Sequence, residues 1–556
     1  MTVRVGLLGI ALAAASTGTR GAALPTDDRT ILHVLNRIAF GPRSGDVGRV
    51  RAMGLERYIT EQLHPERIPD AALAARLADL RTLAMSSRDI ADQFEQPQLE
   101  ARKARKQNAA ADKDQPRMPD PLQPFDSPKN ARLAQGGQAA NQVIIELAEQ
   151  KILRATYSER QLQEVLTDFW FNHFNVDARK GPERFMLTEY EREVIRPHVF
   201  GKFRDLLEAD AKSPAMLFYL DNWMSADPSG PHAEMRPPRV VRGPFGGRIL
   251  EPPRMRQQPQ GKNAPKGLNE NYGRELMELH TLGVDGGYTQ KDVTEVARCF
   301  TGWTIQQPRQ GGGFKFEPRI HDTGQKVVLG HVIKAGGGQR DGEQVLDILA
   351  KHPSTARFIA TKLVRRFVSD APPPALVDRI ASRFRETGGD LREVMRTLLF
   401  SPEFLSADAY RAKVKTPFEF VASALRATGA DVQNAVPLVR AMQQFGMPLY
   451  MCQPPTGYKD TADAWVNTGA LVSRMNFALQ LASGKMNGVA LESRESPVES
   501  RESTVESRES AVDSTTFIDS VLGGDVSETT RATISKATSA PQMVALTLGA
   551  PEFQRR

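Results

Sequence analysis

The sequence predicts a mainly α-helical protein: a multi-helix composite domain with a small β-hairpin or flap near 310–334 and disordered insertions. Three observations carry that expectation. Apolar residues recur at helical spacing through most of the chain, as in Ile31, Leu32, Leu35 and Ile38 or Leu162, Val165, Leu166 and Phe169. Glycine, proline and charge gather into the stretches 86–135, 227–267 and 492–512. Only 310–334 reads as strand, with Phe314-Lys315-Phe316 and Val327-Val328-Leu329 bounded by glycine runs. Setting the polar stretches aside leaves roughly 400 residues of helical pattern, which suits one composite domain better than several separate ones.

The elements follow in order. Arg4, an apolar run over 5–15 and the small residues Gly21-Ala22-Ala23 predict a signal peptide over 1–23, cut before Leu24. The run is too short to cross a bilayer. The expected mature chain is therefore secreted or periplasmic and has no transmembrane anchor. A helical domain is predicted over 24–483. Asp27 and Asp28 are available to cap its first helix, and Pro65 follows a helix that begins at Leu55. Residues 86–135, rich in Lys, Gln, Asp and Pro, read as a solvated insertion. The helical period returns over 141–218. Residues 227–267, punctuated by Pro, Gly and Arg, read as a long loop that can be neither an ordinary helix nor a central strand. Helices are predicted again over 269–282, 290–301, 343–350, 354–369, 375–387, 391–400, 416–428, 433–445 and 466–483. Residues 484–514 hold the units ESRESPV, ESRESTV and ESRESAV. One apolar position per seven cannot make a coiled-coil seam, so this is read as a low-complexity linker. A last helical segment, within 515–556, is expected to pack on the domain.

Composition removes several function classes. The 556 residues carry a formal charge of +7 and are 40% hydrophobic. The two cysteines, Cys299 and Cys452, exclude a disulfide scaffold and any all-cysteine metal site. There is no HExxH, GxSxG, Walker loop, CxxC or well-formed GxGxxG. The arginines of 236–256 lack interleaved aromatic platforms, so nucleic acid is not expected. An anionic envelope polymer suits them better.

Two segments are chemically dense. In 166–175, Leu166, Phe169, Trp170 and His173 share one helical face, and Asp168, Asn172 and Asn175 share another. His173 is then either a buried histidine satisfied by one hydrogen bond or a site residue at the edge of an apolar pocket. In 269–280, Asn271, Glu275 and Glu278 fall within about 60° on a helix, whereas His280 lies roughly 150° from the carboxylates. The Glu pair is either a metal or acid–base element that needs ligands from other helices, or part of an ion-pair and capping network with Arg274 and Asn271. Gly283 is placed to end this helix, and Thr289 with Asp292 forms a variant capping box for the next. His321-Asp322 could orient a general base, or Asp322 could simply stabilise a turn. The candidate site residues are thus His173, Glu275, Glu278, His280, His321 and Asp322, with no cofactor or metal assigned.

The run 269–303 (NENYGRELMELHTLGVDGGYTQKDVTEVARCFTGW) resembles the signature of an uncharacterised bacterial family, domain of unknown function 1800. Residues 35–42, 169–174, 321–330, 352–367 and 446–478, the last with Gln453-Pro454-Pro455-Thr456-Gly457-Tyr458, are similar to that family too. The resemblance implies a mostly helical, secreted protein. It also implies a secreted partner with a phosphatase- or sulfatase-like fold, because the two families are frequently encoded together. It transfers no catalytic residues. Gly273 departs from the pattern, where Ala is usual, and the heptad linker looks like a private insertion. The expected function is binding or assembly with another extracytoplasmic protein or an envelope polymer. The alternative is an extracytoplasmic, metal-assisted hydrolase with a His/Glu-lined pocket.

Overall fold

In the computed structural model the described residues are 24–100, 103, 128–230, 239–242, 248–251, 267–491 and 514–556; for 128–140, 239–242, 248–251 and 514–516 only the backbone is described. The signal peptide, most of the 86–135 and 227–267 insertions and residues 492–513 of the heptad linker lie outside the described residues.

Asp27 accepts a hydrogen bond from the Thr30 amide at 3.0 Å and starts the helix Asp28–Ile38. Ile31, Val34, Leu35 and Ile38 are fully buried on one face, the stripe that the sequence spacing predicts. The helix Pro128–Tyr157, 30 residues long, packs against Ala71–Leu77, Pro417–Thr428 and Val436–Gln444. Beside it runs Gln161–His173, buried on nearly every side. Helices Arg340–Lys351, Pro353–Phe367, Pro374–Glu386 and Leu391–Leu399 pack on one another in chain order. Together these helices enclose one large apolar core.

The fold is mainly α, and its strands are confined to four antiparallel pairs among the described residues. The single flap expected near 310–334 is two hairpins. Trp303–Ile305 pairs with Phe314–Phe316, and Lys326–Val328 pairs with His331–Ile333. Arg239–Arg242 pairs with Arg248–Glu251 inside the expected loop, and Ala430–Val432 pairs with Val489–Leu491.

Three further expectations are revised. Residues 87–100, assigned to a solvated insertion, are helical in their described part. A Ser86–Asp89 capping box opens them, and Ile90 is buried against Val143 and Phe185. One apolar anchor outweighs a polar average. The last helical segment is three short helices, Ser514–Leu522, Glu528–Ile534 and Ala540–Gly549, interrupted first at Gly523-Gly524, followed by a final helical turn, Pro551–Gln554. The last of the three packs on Thr468–Ala482, and Arg474 there donates to Gln554 at 2.7 Å. The helix predicted over 269–282 stops at Glu278. Beyond it the His280 amide reaches back to the Glu275 carbonyl at 3.1 Å, in a wider turn. Helical spacing therefore does not place His280.

Gly273 costs about 1 kcal/mol in helix propensity. A Cβ there would lie 2.9 Å from the Val293 carbonyl oxygen. The missing side chain lets Glu270–Glu278 approach Gln290–Cys299 closely. Both cysteines are buried free thiols. No helix among the described residues is long and apolar enough to cross a membrane.

Candidate functional site

A cavity of about 450 Å³ opens mainly between three elements, with Lys151, Leu279 and Thr416 reaching it from others. The end of Gln161–His173 supplies Asp168, Phe169, Asn172 and His173. Pro353–Phe367 buries Ile359, Leu363 and Phe367 in the core and turns Phe358, Lys362 and Arg365 to the cavity. This helix begins on an N-cap made by the His352 side chain, with Pro353 at the first helical position. The third wall is the chain from Met447 to Thr461.

That third wall is held by side chains acting on its backbone. Asn172 donates from Nδ2 to the Tyr458 carbonyl at 2.8 Å and accepts from the Tyr458 amide at 2.7 Å. Asn175 donates to the carbonyls of Cys452 and Pro454, each at 2.9 Å. Between these two clasps Gly457 has φ +74°, and a Cβ there would lie 2.2 Å from the Asn172 carbonyl oxygen. Only glycine lets the loop cross the helix end so closely.

Lysine and arginine outnumber carboxylates in the lining. Lys151, Lys362, Arg365, Arg366 and Lys459 face the cavity against the carboxylates of Asp168 and Asp460. Most of this charge is matched nearby. Lys151 pairs with Asp168 at 2.7 Å, Arg366 pairs with buried Glu419, and Asp460 lies 3.4 Å from Lys413 and 3.6 Å from Arg556. Lys362 and Arg365 have no carboxylate within 4.0 Å among the described residues, and the buried Arg365 Nε has no hydrogen-bond partner.

Lys362 is tied instead to a histidine. Its Nζ lies 2.8 Å from His173 Nδ1, and His173 Nε2 lies 3.1 Å from the His280 carbonyl oxygen. A carbonyl only accepts, so Nε2 carries the proton and the Nδ1 lone pair faces the lysine. Burial, and then the Lys362 charge, hold His173 well below the usual histidine range. Burial, followed by the nearby Arg365, lowers Lys362 to about 8.

The other residues singled out in the sequence lie elsewhere. His280 sits behind His173, with Nδ1 at 3.6 Å from Asp210, and burial pushes it down to about 3. Asp210 is raised by burial to about 8 and accepts from Tyr190 Oη at 2.7 Å. Glu275 and Glu278 are partly exposed on the flank of their helix. Glu278 accepts from Tyr288 Oη at 2.7 Å, and Arg274 donates to Gln290 rather than to either carboxylate. Burial and the neighbouring Glu278 raise Glu275 above the ordinary carboxyl range. His321 lies between the Thr301 carbonyl at 2.8 Å and Asp341 at 3.1 Å. Asp322 is turned from His321 to Arg298, with contacts of 2.7 and 3.1 Å. This network, with Lys326 on Asp341 at 2.6 Å, fastens the second hairpin to the helices beneath it.

Of the six, only His173 lines the cavity. Among the described residues no group of three or more His, Cys, Asp and Glu side chains could hold a metal ion. The sequence reading made neither Lys362 nor Arg365 a site residue, and it quoted Tyr458 only within a family-like motif. Basic residues at 362, 365 and 366, beside the apolar stripe of one helix, were the available signal.

A family profile described as DUF1800, protein of unknown function, matches residues 33–555. The chain belongs to that family. No curated protein and no solved structure matches it. Three of the stretches that carry the family resemblance, 169–174, 352–367 and 446–478, supply the three walls of the cavity.

Proposed function

We propose that the protein is a secreted or periplasmic binding component whose cavity receives a negatively charged group presented by an envelope polymer. The pairing of Lys362 and Arg365 supports this reading. Both face a cavity that can hold a small ligand, and neither is neutralised by a carboxylate within 4.0 Å among the described residues. Leaving two cations this close unpaired is costly unless an anion arrives. The cavity also has the apolar lining with a few converging polar groups that ligand sites share. A secreted partner with a phosphatase- or sulfatase-like fold would act beside such a component, by presenting or processing the polymer.

A metal-assisted hydrolase draws less support. His173 spends both ring nitrogens on Lys362 and the His280 carbonyl, Glu278 is bound to Tyr288, and Asp322 is bound to Arg298.

Calorimetric titration of the mature chain with an acidic envelope polysaccharide, and with a neutral one of equal length, tests the reading. Preference for the acidic polymer is expected, weakening with added salt. Lys362→Met and Arg365→Gln should each lower affinity by about tenfold or more. Equal binding of both polymers, or unchanged affinity in both variants, would overturn it.

A further inference from the structure

We infer that Lys362 is a reactive amine, able to capture a ligand's aldehyde or ketone carbonyl as an imine with His173 as the base beside it.

The observation behind this is the environment of one nitrogen. Lys362 Nζ lines the cavity, lies 5.5 Å from the Phe358 ring centroid and has the Nδ1 lone pair of a fixed histidine tautomer at 2.8 Å. The other cavity-lining or buried lysines among the described residues are differently placed. Lys151 is closed off by Asp168, and Lys459 is exposed. Lys326 and Lys413 are buried on carboxylates. Lys415 is buried over the Phe553 ring and borders only a crevice of about 10 Å³, with no room for a ligand. A desolvated lysine beside a second cation is the kind that supplies free amine near neutral pH, and the lowered proton affinity of Lys362 agrees with this.

The step balances without any further reagent. The nitrogen lone pair forms the N–C bond as the carbonyl π pair moves to oxygen. Nδ1 of His173 takes one proton from nitrogen and returns it to that oxygen. The adduct then breaks its C–O bond while the nitrogen lone pair forms C=N. The remaining N–H proton passes through Nδ1 to the departing hydroxide, which leaves as water. His280 holds the imidazole throughout, because its carbonyl keeps the proton on Nε2. Arg365, three residues along the same helix, is placed for a carboxylate next to the carbonyl. Only this last feature rests on the anionic reading above.

The test traps the imine. The full mature chain is incubated with glyoxylate, or with acetaldehyde as a neutral aldehyde, together with cyanoborohydride, and labelled lysines are mapped by peptide mass spectrometry. Lys362 should label about tenfold faster than surface lysines with either aldehyde. His173→Gln should lower that rate by about tenfold while surface lysines stay unchanged. Lys362→Arg, its folding checked by circular dichroism, should remove the fast label. Labelling of Lys362 no faster than surface lysines by both aldehydes would overturn the proposal, as would fast labelling that persists in Lys362→Arg. Arg365→Gln should slow glyoxylate but not acetaldehyde. Fast acetaldehyde labelling without any glyoxylate preference upholds the reactive amine and counts against the anionic reading.

Discussion

Replacing Glu419 by glutamine should expose how much of the fold rests on one carboxylate. Glu419 is buried at the start of Pro417–Thr428, accepts from the Thr416 amide at 2.9 Å, pairs with Arg366 and lies 3.0 Å from Arg556. These two arginines hold its proton affinity down, against the opposing effect of burial, to about 2 from an ordinary 4.5. That difference is worth about 3 kcal/mol of stability. The sign follows from the direction. The folded state gives up the Glu419 proton more readily than the unfolded state, so the contribution is complete above pH 4.5 and drains away as pH falls towards 2. Glu419→Gln removes it and leaves two buried guanidinium groups facing a neutral amide, a change that costs about 3–5 kcal/mol in comparable pairs. Urea titrations of both proteins, followed by tryptophan fluorescence, measure the gap. A gap of about 3 kcal/mol is expected at pH 7, constant to about pH 5 and shrinking below it. A gap under about 1 kcal/mol at pH 7, or one that persists undiminished at about pH 2.5, would refute the reasoning.

Three further outcomes are expected. Lys362 is disfavoured as an ammonium, so its penalty is complete below about pH 8 and is relieved as pH climbs towards 10.5. Lys362→Met should melt higher than the parent at pH 7, with the two melting curves converging by pH 10.5. Gly457→Ala forces a Cβ to 2.2 Å from the Asn172 carbonyl oxygen at positive φ. Thermal unfolding should show a loss of about 1–3 kcal/mol, with weaker polymer binding in calorimetry. Asn172→Ala removes both hydrogen bonds to the Tyr458 backbone. A loss of about 1–3 kcal/mol is expected, and limited proteolysis should cut 453–461 faster than in the parent.

Helices were legible where local spacing decides them. Asp28–Ile38 and Leu391–Leu399 show their apolar stripes and caps directly in the residues. Elements settled by distant partners were not. Ala430–Val432 is a strand only because Val489–Leu491 lies beside it, and nothing near either segment says so. The same difference divides the site. His173 was visible through the aromatic density around it. Lys362 and Arg365 did not stand out within their helix, because sequence does not show the loop from Met447 to Thr461 that roofs them. The Asn172–Tyr458 clasp joins residues 286 positions apart. Glu275 and Glu278 drew attention by their spacing, yet tertiary packing leaves them on an outer flank. A one-chain pattern records which residues share a face but not what stands opposite.

The packing of 514–556 bears on how the chain can be divided. Ala540–Gly549 lies on Thr468–Ala482, the backbones of Val414 and Arg555 form a β-bridge, and the Arg556 amide donates to the Lys413 carbonyl at 2.8 Å. Covalent continuity through 492–513 is therefore a separate matter from this grip. A cleavage site placed within 492–513 should yield two polypeptides that elute as one particle and part only on denaturation. Expressed apart, the shorter piece should reassociate with the longer one and restore its melting temperature, so the molecule offers a natural site for reversible, two-part assembly.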